Sequence, residues 1–449
     1  MATLRRARFG RSPVAAAALI AVAGLTLAGC APGGTAGPTE SVDVSTELTD
    51  EEVVLTIADE TGFPVTDELA AAFTEQHPNV TFEITRDTFQ NLTANAPRLL
   101  ASDNPPDLIR LPTIGDTVKD GLLANLDPYF DAYGWDAWPA SQLAPLRMTD
   151  DGVRGSGSLY QLGLGYSVTG IFMNLALADE LGIDAPPETM AEFEEQMQIA
   201  KDAGVLPIMA GDSDGVVNFV VQAAMNQFVD KDEFMSWMFN EPGASYDQPG
   251  TVEGAELVRE WADAGYFPSD INAIDYFTFV TRFSEGEGLF TFNGNWAAAG
   301  YQEALGDDVT FFLVPPVEEG GDHVAMGAAN SFSVAAGSDN LNEIVYFLNW
   351  IHTDPVARQI IVDVTGASPG GDPSLPLPDV EPGSLIEKAL EMSATIGAEN
   401  GQVDFMANTT AGIYAGSIIP ESQLLVTGQI TGQEFVERVQ AFYEQEIGG

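Results

Sequence analysis

The chain of 449 residues carries 67 Asp and Glu against 17 Lys and Arg, with one Cys and three His, for a formal net charge of −50 at pH 7. A surface this acidic repels phosphates, which excludes nucleic acid as a partner. One cysteine cannot close an internal disulfide, and His77, His323 and His352 show no metal-ligand spacing, so neither a metal nor a cofactor is expected; 45% hydrophobic residues exclude a wholly disordered chain, and the length suggests about two domains.

Residues 1–29 read as a processing segment. Arg5, Arg6, Arg8 and Arg11 form a basic start, Val14 to Ala28 is uncharged and apolar, and small residues follow, the layout of a secretory signal too short to span a bilayer. The segment ends in Leu27-Ala28-Gly29-Cys30, which resembles the lipobox of bacterial lipoproteins and implies a diacylated Cys30 as the mature N-terminus, on the outer face of the cell membrane. Residues 30–51, rich in Gly, Pro, Ser, Thr and acids without periodic hydrophobic order, read as a flexible tether. No later stretch reaches membrane-spanning length.

The body opens with a β-α-β-α-β series. Val53 to Ala58 is a β-branched run, Asp67 to His77 has helical spacing, Val80 to Ile84 alternates, Phe89 to Ala101 is a second helix and Asp107 to Leu111 a third strand. Such a series predicts an open, largely parallel sheet with ligands beyond the carboxyl ends of its strands, at Glu60, Thr61, Gln90 and Thr113. Strands are expected next at Tyr160 to Leu162, Ser167 to Met173 and Leu206 to Ala210, with an acidic helix at Pro187 to Ala203. Helices Val216 to Gln227, Lys231 to Phe239 and Thr251 to Ala264 precede a strand ending at Asn293-Gly294-Asn295-Trp296. Further strands are expected at Val309 to Leu313, Val324 to Gly327 and Phe332 to Val334. Asp354-Pro355 opens a helix as N-cap followed by Pro, and Thr431 to Glu434 is a capping box for a last helix.

The order of several phrases resembles the family 1 extracellular solute-binding proteins, the sugar-capturing subunits of ABC importers related to maltose-binding protein. They are Phe73 to Val80 (FTEQHPNV), Ala101 to Leu111 (ASDNPPDLIRL), Gly121 to Asp127 (GLLANLD), Gly170 to Asn174 (GIFMN), Phe283 to Trp296 (FSEGEGLFTFNGNW) and Val314-Pro315-Pro316. Asn295 stands where the family usually has Pro, and Gly366 to Pro369 departs from its late motif. The resemblance implies a type II periplasmic-binding-protein-like fold of class α/β, with two lobes, each a mostly parallel sheet flanked by helices, and a ligand cleft between them. Lobe one would be 52–163 plus 328–353 and lobe two 164–327 plus 354–449, with hinges near Gly163, Gly327 and Asp354. It further implies a monomer that hands a neutral mono- or oligosaccharide to ABC permease subunits, without catalysis.

The Trp of the family's motif, here Trp296, stacks on sugar, and a flat ring beside amides and carboxylates matches a sugar's C–H face and hydroxyls. Trp237 and Trp261, at helical spacing among apolar residues, are expected in the core. Tyr166 and Ser167 past the first crossing, and Tyr276 and Phe277 in the aromatic run Asp275 to Phe283, are candidates for the cleft. Asp214, Asn218, Asn293 and Asn330, like Glu60, are polar groups at predicted strand ends or helix starts, where capping is the competing role. Two other readings remain open at this stage. Glu60 and Asp214 with aromatic walls would suit a polyamine or another cation, and Gly211-Asp212-Ser213-Asp214-Gly215 is a literal G-x-S-x-G that would make Ser213 an esterase nucleophile.

Overall fold

Residues 44–448 are described by a computed structural model; the export segment, Cys30 and the start of the tether lie outside them. Twelve strands form among these residues: β1 (Val53–Glu60), β2 (Val80–Asp87), β3 (Leu108–Arg110), the short pair β4 (Arg147–Met148) and β5 (Ser158–Leu159), β6 (Gln161–Tyr166), β7 (Thr169–Asn174), β8 (Phe290–Gly294), β9 (Val309–Phe312), β10 (Ala325–Met326), β11 (Ala329–Val334) and β12 (Gln402–Val403).

The first lobe is built on a five-stranded sheet of order β2-β1-β3-β11-β6. β1 runs parallel to β2 and β3, as the opening β-α-β-α-β series requires, because a helix must carry the chain back before each parallel strand. β11 is antiparallel to both β3 and β6. Leu55 and Ile57 of β1 are buried with Phe73 of helix Val65–Gln76. Phe73 packs edge-on at 5.1 Å against both Phe347 and Trp350 of helix Leu341–Thr353, which seals that side of the sheet.

The second lobe holds the sheet β8-β7-β9, in which both pairs are antiparallel, unlike the mostly parallel sheet expected from the sequence. The cause is where the chain enters and leaves. β7 starts at the crossing from the first lobe and β8 ends there, with Thr169 opposite Gly294, so the two must run in opposite directions. Segment 206–210 runs parallel beside β8 through Ile208–Phe290 without becoming a regular strand; Pro207 has no N–H to extend the ladder. Trp237 and Trp261, 0% and 2% exposed, lie in this lobe's core with Phe193 and Phe290.

Three boundaries differ from the sequence reading. Helix Pro355–Thr365 belongs with the first lobe, since Ala357 and Ile361 are part of its core and the helix packs on Val65–Gln76; the chain stays against this lobe beyond the helix, with Ala367 in the same core and Asp379 bonded to Gln359, so Asp354 is a helix N-cap rather than a hinge. Gly163 is also not a hinge: it lies inside β6, where a Cβ would stand 2.5 Å from the Cβ of Ala329 on β11. The predicted tether ends early as well. Val44 and Leu48 pack on the first lobe's core, and Asn79 Nδ2 donates to the carbonyls of Thr49 and Glu51 at 2.8 and 2.9 Å, which docks residues 44–51. No helix of the described residues is long and apolar enough to cross a membrane.

His352 is fully buried, its ring centroid 4.4 Å from that of Trp138 and its Nδ1 3.0 Å from the Pro369 carbonyl. Burial, reinforced by the Arg358 charge, pushes its pKa down to about 4. The unfolded chain therefore binds this proton more readily, and the neutral histidine's contribution is complete above the ordinary value near 6.5 and is lost as pH falls toward 4. Unfolding free energy in acid, followed by thermal melts, should fall more steeply for the wild type than for His352→Gln, by up to about 1.4 kcal/mol per pH unit in this window; parallel profiles would contradict this.

Candidate functional site

On the first lobe, the adjacent parallel strands β1 and β3 end side by side, and their last residues are Glu60 and Arg110. Glu60 Oε1 lies 3.1 Å from Arg110 Nη2, with the side chains 18% and 14% exposed. The guanidinium sits 4.0 Å above the Phe63 ring, a cation–π contact, and its Nη1 is buried without a partner. Burial pushes the Glu60 carboxyl above its ordinary value, Arg110 opposes this, and Asp59 adds to it.

On the second lobe, Trp296 follows the end of β8 in a 3₁₀ turn, Asn295–Ala297, that leads into helix Ala298–Leu305. Its Nε1–H donates to the Tyr276 hydroxyl at 2.9 Å, and its ring meets those of Phe219 at 5.9 Å and Phe405 at 6.4 Å. Tyr276 is the first residue of helix Tyr276–Ser284, which Asp275 caps by accepting from the Thr278 N–H. The Tyr276 N–H donates to Asp214 Oδ2 at 3.1 Å, and the Tyr414 hydroxyl donates to the Asp214 carbonyl at 2.8 Å. Asp214 Oδ1 and Asn218 Oδ1 are buried and unpartnered. Tyr414 opens a five-residue π-helical turn, Tyr414–Ile418, a distortion that often marks functional sites.

The electrostatics define what these groups can do. The Tyr276 hydroxyl is pushed up to about 12, first by burial and then by the Glu60 and Asp214 charges, against the lowering effect of its hydrogen bonds. It is therefore a neutral O–H donor at any physiological pH. Burial also raises the Asp214 carboxyl, which the Tyr276 N–H partly offsets. The two lobes meet at this point: Phe277, 55% exposed, lies over Gly62, where a Cβ would stand 2.8 Å from Phe277 Cζ. Gly62 has φ +92, so this position favours glycine for its backbone as well as for the space. Aromatic faces, a neutral hydroxyl, a guanidinium and unpartnered oxygens thus converge, a combination suited to a small polyhydroxylated molecule.

Glu60, Asp214, Asn218, Tyr276, Phe277 and Trp296 are the sequence candidates found in or beside this cluster. Asn293 lies behind this cluster, fully buried in the second lobe, its Nδ2 donating to the Tyr301 hydroxyl at 3.3 Å and its side chain also bonded to Tyr276. Tyr166 is packed under Gly370 with its hydroxyl donating to the Gln142 carbonyl, and the Ser167 hydroxyl donates to the Ala328 carbonyl at 3.0 Å, so both tie chain crossings together. Thr61 donates to the Asp87 carbonyl and is exposed. Gln90 in helix Phe89–Leu100 and Thr113 after β3 are half-buried on the first lobe. Asn330 on β11 is 8% exposed, with its Nδ2 unpartnered. Arg110, Phe63, Phe219, Phe405 and Tyr414 are additions that the sequence reading missed. Arg110 had a signal, a lone cation closing a strand in an acidic chain; Phe405 had none.

Two features weigh on the other readings. Glu60 is already paired with Arg110, so it is not free for a ligand cation. Ser213 is exposed and its backbone φ is negative, unlike a strained nucleophile elbow, while the histidines are engaged elsewhere: His77 with Phe73, His323 with Glu399 and His352 with Pro369. Two open surface hollows, one beside Gln302, Asp363 and Glu381 and one beside Ile183, Glu192 and Ile199, lie apart from the cluster. They hold mainly carboxylates and alkyl groups, and the converging unpartnered polar atoms are the stronger sign of a ligand site.

The sequence profile of the family described as bacterial extracellular solute-binding protein matches residues 68–381. No curated protein sequence matches significantly. Among solved structures, the chain is similar to a chitin oligosaccharide binding protein (TM-score 0.70, 20% identity, covering 85% of this chain and 94% of that one). It is also similar to maltose-bound MalE3 of T. maritima (0.69, 13%, covering 88% and 99%). A third is an ABC substrate-binding protein from Listeria monocytogenes in complex with cycloalternan (0.68, 18%, covering 88% and 99%). These likenesses establish the two-lobed fold of type II periplasmic binding proteins. With the profile match spanning most of its length, the chain belongs to the bacterial extracellular solute-binding proteins.

Proposed function

We propose that the protein captures a neutral mono- or oligosaccharide at the Trp296 cluster between its lobes and delivers it to the permease of an ABC importer, without catalysis. The observation that carries this reading is the Trp296–Tyr276 pair, hydrogen-bonded at 2.9 Å and bordered by the unpartnered oxygens of Asp214 and Asn218. The ring takes the sugar's C–H face, the Tyr276 hydroxyl donates, and the carboxylate and amide accept from sugar hydroxyls. The ligands named for the similar structures, chitin oligosaccharide, maltose and cycloalternan, support the ligand class. The acid excess disfavours sugar acids and phosphosugars through its long-range field. Closure of the lobes around the sugar is the mechanism, and the closed form is what the permease recognises. In the same reading Cys30 carries the lipid anchor that keeps a monomeric receptor at the outer face of the membrane.

A thermal-shift screen against neutral sugars, sugar phosphates, polyamines and amino acids tests the class. A sugar at a hundredfold excess over its Kd should stabilise the fold by about 2.7 kcal/mol and raise the melting temperature accordingly. A shift confined to polyamines would overturn the ligand class.

A further inference from the structure

The hairpin between β4 and β5 is rooted in the first lobe yet ends against the second. Leu146 and Leu159 at its base lie in the first lobe's core, and Arg147 bonds Asp127 at 3.0 Å. At the tip, Gly152, Gly155 and Gly157 all have φ between +84 and +89, which folds the chain tightly around Arg154. Arg154 then reaches into the second lobe. Its N–H donates to the Phe239 carbonyl at 3.2 Å, its guanidinium lies 5.1 Å over the Phe239 ring, and its Nη2 stands 2.6 Å from Asp404 Oδ2. The two charged side chains are 7% and 5% exposed.

We propose that Arg154 and Asp404 form a reversible latch between the lobes, making Arg154 a positioning residue for the closed form. Asp404 follows β12 and precedes Phe405, whose ring meets Phe219 and Trp296 in the candidate site. Gln222 holds this segment from the core side, donating to the Asp404 carbonyl at 2.7 Å and accepting from the Met406 N–H at 2.8 Å. Engagement of the tip therefore sets the wall behind Trp296 as the lobes come together.

An ion pair suits a latch better than an apolar plug does. On opening, both charges recover their hydration, so the attraction given up is largely offset and the pair adds little net bias. An apolar contact of the same area would favour closure without such compensation. The open–closed balance is thus left for ligand contacts to decide, and the buried charges specify one closed register.

The test is hydrogen exchange of the ligand-free full-length chain, read on peptides covering 149–157 and 402–409 in the wild type, Arg154→Gln, Asp404→Asn and Arg154→Lys. It needs no sugar, so its outcome is independent of the carbohydrate reading. Gln and Asn should speed exchange at the hairpin tip and at 402–409 by about tenfold or more, because each leaves the other charge buried without its partner when the tip is engaged. Peptides from β1, β7 and helix Pro249–Ala264 should keep wild-type protection, and Lys should restore part of the effect. Unchanged exchange in both variants would overturn the latch. So would loss of protection throughout the second lobe, or failure of both variants to fold, which would make the pair part of the lobe's ordinary structure.

Discussion

Trp296→Ala is expected to weaken carbohydrate binding by about 2–4 kcal/mol, roughly thirty- to a thousandfold in Kd, while leaving a folded protein. The ring is only half-buried, and its removal takes away the stacking face and the Nε1–H that orients the Tyr276 hydroxyl. Trp261→Ala should behave in the opposite way. That side chain is 2% exposed and bonds Glu194 Oε1 at 3.0 Å, so its loss leaves a core cavity and lowers stability by about 3–5 kcal/mol. Calorimetric titration beside thermal melts separates the two; equal affinity in Trp296→Ala and wild type would remove the site from this cluster.

Arg110→Met is expected to lower both stability and affinity. It strips the Glu60 carboxylate of its partner in a site already short of solvent, with a penalty of about 2–3 kcal/mol once the pair's residual exposure is allowed for. Glu60 then has less to oppose the burial that raises its pKa. The double variant Arg110→Met with Glu60→Gln should recover much of the stability, because no unpaired charge is left, and little of the affinity. Recovery of both together would mean that the pair is structural and does not serve the ligand.

The opening β-α-β-α-β unit was legible because each element shows its own periodicity within a dozen residues, and β1, β2 and β3 follow it. Strand direction in the second lobe was not, since the pairing of β7 with β8 joins segments more than a hundred residues apart and no local pattern records it. Helix Leu385–Ala398 was missed although Ser384 caps it by accepting from the Glu387 N–H, a spacing present in the sequence but surrounded by Pro and Gly. In the candidate site, Trp296 stood out through its motif and Glu60 through its strand end. Asn293, two residues before Asn295, sits on a strand whose residues are all buried, so it reaches the site only from behind, through its side-chain bonds to Tyr301 and Tyr276. Arg110 and Phe405 needed three dimensions, one to pair with Glu60 and the other to stand behind Trp296.

The central claim is that a neutral sugar is held at Trp296 by stacking and hydrogen bonds rather than by charge. Titration calorimetry of the best sugar from the screen, at low and at high salt and against both wild type and Trp296→Ala, tests it most directly. The account predicts a wild-type affinity that is unchanged by salt and lost in the variant. Affinity that falls with ionic strength, or that survives without Trp296, would contradict it.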